Sequence, residues 1–197
     1  MSAMFFPVFY GSYRTDRLGI RLALNVSAQL KLKGHECELI DAREVDLPML
    51  DRMYKEYPKG EAPAAMEMVA DVLRRADGFA FVTGEYNWGP QPGLKNLTDH
   101  FLEEWFGRPA AVLSYSTGSL AGARSNYSWH PILAEMGMAV IPRTAAVPKI
   151  GETFDETGMP IGENSERAAS SVGRTLDLLA WWTSAAKAQL AVSAYPG

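Results

Sequence analysis

The stretch VFYGSYRTDRLGIRLA, residues 8–23, decides how this chain reads. Residues 4–10 are apolar almost throughout, as expected of a strand buried on both faces, and the run stops at Gly11. From Leu18 the apolar residues Ile20, Leu22, Leu24, Val26 and Leu30 return at roughly helical spacing, with Gly34 as a C-terminal stop. Between strand and helix lie Ser12, Arg14, Thr15, Arg17 and Gly19. Helix-start amides carry partial positive charge, the hydroxyls donate hydrogen bonds, and the two arginines can clamp a dianion. The turn matches neither GxGxxG nor GxxxxGK[ST], which favours a single terminal phosphate over a dinucleotide or a triphosphate. It also reads as a plain strand-to-helix turn with solvated arginines.

Outward from this turn the chain alternates. Strands are expected at 37–42, 78–86, 109–116 and 137–142, and helices at 66–76, 93–106, 121–136 and 164–191. Residues 43–63, with three prolines, read as a long irregular connection, and 143–163 as a turn-like insertion. Asn164 is the expected N-cap of the last helix, whose apolar face carries Val172, Leu176, Leu179, Trp182 and Leu190. Five strands separated by helices imply right-handed crossovers and a doubly wound α/β sandwich around a parallel sheet.

Composition sets the limits. The chain has 197 residues, 47% hydrophobic and 21% charged, which predicts one domain over 1–197. A net charge of −4 argues against nucleic-acid binding. A lone Cys37 and the lack of any CxxC pair point to a reducing compartment. No run approaches the roughly 20 apolar residues that span a bilayer, so no membrane association is expected, and MSAMFFPVFYGS reads as a first strand rather than a signal peptide. His35-Glu36-Cys37-Glu38 has no HExxH spacing, and Asp99/Glu103 and His100/Glu104 read as solvated or interface i,i+4 pairs, so no metal site is expected. No GxSxG elbow appears.

Ligands of such sheets sit at the carboxyl ends of the strands, where strand order reverses. After the third strand, Glu85-Tyr86-Asn87-Trp88 brings amides, a carboxamide and two rings into a loop stiffened by Gly89, Pro90, Pro92 and Gly93. After the fourth, Ser116-Thr117-Gly118-Ser119 offers hydroxyls and close backbone approach, or an ordinary turn with Ser119 as helix cap. Arg124 reads either as a partner for a nucleotide 2′-phosphate or as surface charge. Phe101, Trp105, Phe106, Tyr127 and Trp129 exceed what one small core needs, which suggests a partner subunit walling the cleft.

GSYRTDRLG, GEYNWGPQPGLKNLTD, STGSLAGARSNYSW and GETFDETGMPIGEN together resemble the successive signatures of the NAD(P)H-dependent FMN reductases, a family that includes quinone, azo-dye and chromate reductases. The resemblance runs over about residues 4–190 and implies a flavodoxin-like sheet of order 2-1-3-4-5. It implies FMN as cofactor and NADPH or NADH as hydride donor, with a small-molecule acceptor and a cytoplasmic homodimer or homotetramer. By position, Ser12, Arg14 and Arg17 would hold the phosphate beside Gly19. Glu85, Tyr86, Asn87 and Trp88 would line the ring, and Ser116, Thr117, Gly118 and Ser119 would meet its pyrimidine edge. Gly84, where the family usually has proline, and Ser119, in place of a common glycine, depart from the pattern. Hydride transfer through flavin N5 asks the protein for orientation and electrostatics, so no side chain is nominated as acid, base or nucleophile. An FMN-binding electron carrier and a ligand-sensing module on the same scaffold are the rival readings.

Overall fold

A computed structural model of the chain describes residues 2–197. In chain order its elements are β1 (Phe5–Tyr10), α1 (Ile20–Leu32), β2 (Glu36–Asp41), α2 (Ala42–Val45), α3 (Ala64–Arg75) and β3 (Phe79–Gly84). There follow α4 (Pro92–Asp99), β4 (Pro109–Tyr115), α5 (Ala123–Glu135), β5 (Ala139–Val140), β6 (Ala145–Val147), α6 (Ile150–Thr153) and α7 (Ser165–Leu190). The sheet is parallel, in the order β2-β1-β3-β4-β5 with β6 also on β4, the flavodoxin-like order.

Alternation along the strands splits the core into two. Phe5 and Phe9 of β1, Phe79 and Phe81 of β3 and Val112 of β4 face α3, α4 and α5. Phe6, Val8, Tyr10, Val82, Leu113 and Tyr115 face α1 and α7. Both faces of the central strands are therefore apolar, which is why the sequence shows continuous runs there instead of alternation. Phe101, Trp105 and Trp129, expected at an interface, are fully buried around Phe9, Phe79 and Phe81 in this core. Tyr127 alone of that aromatic group is freely exposed, since Phe106 packs on Tyr195.

The single fifth strand expected over 137–142 is instead two short strands sharing one lane. β5 pairs with Pro109 and Ala110, and β6 with Leu113 to Tyr115. Pro142, in the gap, has no N–H to give the ladder. The Thr144 hydroxyl donates to the Val112 carbonyl at 2.7 Å instead, and Asn126 Nδ2 reaches Ser114 Oγ at 3.2 Å. Residues 143–163 thus contain β6, α6 and a hairpin that braces α1, with Asn25 Nδ2 donating to the Gly158 carbonyl at 2.9 Å.

Two helical expectations also change. The helix expected over 93–106 ends at Asp99, because His100 Nδ1 lies 2.7 Å from the Asn96 carbonyl and Trp105 Nε1 donates to the Thr98 carbonyl. Only a 3₁₀ turn at Glu103–Trp105 follows, so the Asp99/Glu103 and His100/Glu104 spacings are not those of one helix. Asn164 makes no side-chain cap bond to α7; Ser165 Oγ donates back to the Gly162 carbonyl at 2.8 Å. Trp182 and Leu190 are exposed, so the buried face of α7 runs through Val172, Leu176, Leu179 and Thr183.

Candidate functional site

The register sets the last residues of neighbouring strands side by side: Tyr10 beside Asp41, and Gly84 beside Tyr115. Above them the three loops expected from the sequence converge on a cleft of about 340 Å³. Ser12, Arg14, Arg17, Glu85, Tyr86, Ser116 and Thr117 line it, and so do Asp16, Leu18, Gly84 and Tyr115, which the motif reading did not assign. Gly19, Asn87, Trp88, Gly118 and Ser119 lie outside the lining.

In the first loop, no described residue accepts a hydrogen bond from the backbone N–H groups of Tyr13 to Arg17. A row of spare amides just before a helix is an anion site in search of its charge. Ser12 is buried, with its hydroxyl 3.2 Å from that of Tyr86, which ties the first loop to the second. Arg14 is exposed and forms no ion pair among the described residues. Arg17 behaves differently. Its guanidinium sits 2.6 Å from Asp41 and 3.1 Å from Glu44, so of the two arginines expected to clamp a phosphate, both line the cleft, Arg14 without an ion pair among the described residues and Arg17 paired at the end of β2.

Gly84 and Tyr115 line the floor, and Gly19, outside the lining, packs against the Tyr115 ring. A Cβ on Gly19 would fall 1.9 Å from Tyr115 Cζ, and one on Gly84 would come within 3.0 Å of the Tyr115 hydroxyl, so both glycines make room for one ring. Gln91, wholly buried, donates to that hydroxyl at 2.8 Å. Burial, then the neighbouring Tyr10, push the Tyr115 phenol far above its ordinary value. It therefore stays neutral, a hydrogen-bonding floor that adds no negative charge beneath a phosphate.

The second loop is a tight turn closed by reciprocal backbone bonds between Tyr86 and Gly89, at 3.1 and 3.0 Å. Asn87 and Trp88 occupy the left-handed region, at φ 49° and 76°. That conformation presents the Trp88 ring outward, and the Arg124 guanidinium lies 4.3 Å above it. Arg124 also pairs with Glu85, and its backbone N–H donates to the same carboxylate at 3.2 Å. Burial alone would raise the Glu85 carboxyl, but the bonds and charge of Arg124 outweigh it and hold the group below its ordinary value. Arg124 is thus engaged by Glu85 and Trp88 in this structure, with its Nε left without a partner.

The third loop is braced by the Ser116 side chain, while the backbone N–H groups of Thr117 to Leu120 donate to no described residue. Ser116 Oγ donates to the Gly118 carbonyl at 2.8 Å and accepts the Ala121 N–H at 2.9 Å. Lys149 N–H donates to Gly118 and Ile150 N–H to Ser116, which anchors the loop to α6. Helix α5 begins at Ala123 after Gly122 (φ 69°), so Ser119 is not its cap.

The family model for NADPH-dependent FMN reductase matches residues 4–152. The chain belongs to that family. Its chemistry is oxidoreduction with NAD(P)H as donor and FMN as cofactor. It is 27% identical over 160 residues to an NAD(P)H-dependent FMN reductase of Saccharomyces cerevisiae, a match covering 73% of this chain and 81% of that one. It is 29% identical over 124 residues to a quinone reductase of Escherichia coli, covering 56% and 65% of the two chains. Among solved structures, the flavoenzyme NAD(P)H:(acceptor) oxidoreductase FerB of Paracoccus denitrificans superposes with a TM-score of 0.73 at 20% identity, covering 91% of this chain and 99% of the other, a likeness of fold.

The residues present fit FMN. Spare amides, a free arginine, the buried Ser12 hydroxyl and the exposed one of Thr15 stand ready for its phosphate, and Gly84 leaves the strand ends open to a flat ring. Ser12 and Thr15 were visible from sequence as hydroxyls. Tyr115 was not, although a tyrosine closing the otherwise small and aliphatic strand PAAVLSY is an oddity that marks it.

Proposed function

We propose that this chain, as one flavodoxin-like domain over residues 1–197, binds FMN with its phosphate on the amides of Tyr13 to Arg17, the Ser12 and Thr15 hydroxyls and the Arg14 guanidinium. The row of unpartnered amides beside an unpaired arginine carries the reading. When bound, FMN accepts a hydride from the nicotinamide and passes the electrons to a small acceptor such as a quinone, an azo compound or free flavin. The chain's own part is positional. Glu85 and Tyr86 on one side, and Ser116 and Thr117 on the other, hold the ring plane between them. The Glu85–Arg124–Trp88 unit stiffens the rim of the cleft and limits water there.

A cytoplasmic location belongs to the same proposal and is supported by the lone Cys37 and the lack of any CxxC pair. Among the described residues no helix is long and apolar enough to cross a membrane. A homodimer or homotetramer is supported by Trp88, Leu120 and Tyr127, three large exposed side chains in the second and third loops and the N-terminal half of α5. Anaerobic titration of the FMN-loaded protein with NADPH and then NADH tests the function. Bleaching of the flavin band on the time scale of turnover, reversed by a quinone, an azo dye or free FMN, is the expected result. A flavin that stays oxidised under both donors refutes nicotinamide turnover and leaves a carrier.

A further inference from the structure

Helix α7 carries apolar side chains on more than the face it buries. Val172, Leu176, Leu179 and Thr183 meet the core, yet Trp182 and Leu190 are exposed, and so is Trp181, at 58%. Tryptophan is seldom left in water, and these two rings are held edge to face with their centroids 5.2 Å apart.

At about 100° of turn per residue, Arg174, Leu178, Trp181 and Ala185 fall along one line, opposite the buried stripe. Arg143 reaches the same line from the segment between β5 and β6. With Arg174, Asp177, Leu178 and Trp181 it lines a shallow depression of about 420 Å³. Among the described residues neither arginine meets a carboxylate. Arg174 donates to Ser170 Oγ at 2.7 Å, and the Arg143 Nε is buried without a partner. Asp177 is neutralised by Lys33, whose Nζ lies 2.6 Å away. The depression is therefore cationic and walled on one side by an indole, and none of its residues lines the cleft at the strand ends.

Such a patch is complementary to itself. Arg174 and Trp181 are two turns apart and lie equally far from the midpoint between Asp177 and Leu178. Two α7 helices paired antiparallel about that midpoint set each Arg174 over the other's Trp181, a cation on an aromatic face, twice. Ser170 and Ala185 then meet at both ends, and their small side chains let the helices come close. Arginine and tryptophan are also the residue types that dominate the energetics of protein contacts. We propose that this outer face of α7 is a twofold interface with a second copy of this chain, each copy's Trp181 seated in the depression of the other. It is distinct from the surface of Trp88, Leu120 and Tyr127 and leaves the cleft uncovered. One helix against one helix is at the low end of interface areas, so the association is reversible and concentration-dependent.

Sedimentation velocity of the full chain over the micromolar range tests the interface. Trp181→Lys and Arg174→Glu, both at exposed positions, are each expected to halve the mass that the parent reaches at high concentration, with the far-UV circular dichroism unchanged. Mixed in equal amounts, the two variants are expected to regain the parent mass. The mixed pair keeps one Arg174–Trp181 contact and puts opposite charges at the other, whereas each variant alone loses both contacts. Recovery on mixing also shows that both variants fold. A mass that either substitution leaves unchanged, or a mixture that stays at the mass of the separate variants, overturns the interface. FMN plays no part in these measurements, so their result stands apart from the flavin reading.

Discussion

The first and third loops reach the same cleft and both leave backbone amides open, but they differ in what accompanies those amides. The third keeps the Ser116 hydroxyl within itself and is tied to α6, so its open amides, Thr117 to Leu120, sit on a braced surface. Tyr13 to Arg17 leave their amides open, and Arg14 beside them carries an uncompensated charge. Affinity for the FMN phosphate should therefore depend on the first loop and its support, whereas the Ser116 side chain should register mainly in stability.

The harshest way to break this contrast is Gly19→Ala. The added methyl meets the Tyr115 ring, rigid and buried, so the first loop must lift off the floor. A loss of about 1–3 kcal/mol in stability is expected, with FMN retention abolished in equilibrium dialysis. Normal retention would show that the floor does not support the loop.

Arg14→Ala comes next. Loss of one charge-assisted contact, roughly 1.5–3 kcal/mol, corresponds to FMN binding weakened by about 10- to 100-fold with the melting temperature of the apoprotein unchanged. Arg17→Ala sharpens the comparison, because it should do the reverse. It leaves Asp41, 7% exposed, without its partner, and so lowers apoprotein stability while changing FMN affinity only a few-fold. Equal losses of affinity in the two variants would restore the clamp of two arginines.

Ser116→Ala should cost about 1 kcal/mol in thermal unfolding and leave the FMN dissociation constant nearly unchanged, since its hydroxyl is engaged within its own loop. The smallest effect is expected at Glu85→Gln, about 0.5 kcal/mol at neutral pH given the partial exposure of Arg124. Because the folded carboxyl is held below its ordinary value, its contribution is complete above the unfolded pKa of about 4.3 and fades as pH falls through the folded one. Parent and variant melting temperatures should converge in acid; a gap that persists there would mean that the Arg124 contact is not ionic.

Much of this was legible along the chain. The apolar runs of β1, β3 and β4 identified themselves because strands covered on both faces have no polar side to display, and Ser12, Arg14 and Glu85-Tyr86 lie in the cleft as their positions after those strands required. Arg14 and Arg17 could not be told apart, since only two residues of loop separate them and both carry the same charge. The fifth strand looked continuous because GMAVIP is apolar throughout, and the loss of one donor at Pro142 was enough to divide it. The aromatic surplus around residues 101–129 suggested an interface, because local sequence does not reveal that Phe101, Trp105 and Trp129 stack into one cluster against β1 and β3.

By itself, then, the sequence determined the alternation of strands and helices, the parallel sheet and the positions of three loops at one edge, because periodicity and turn chemistry act over a few residues. Tertiary structure alone decided which donors stay free. The pairing of β2 with β1 carries Asp41 to Arg17, the pairing of β4 with β3 carries Tyr115 under Gly19, and Asn96 reaches across to residues 48–50. A donor is spent or spare according to what lies within hydrogen-bond reach, and that is fixed by strand register and helix packing between residues far apart in the chain.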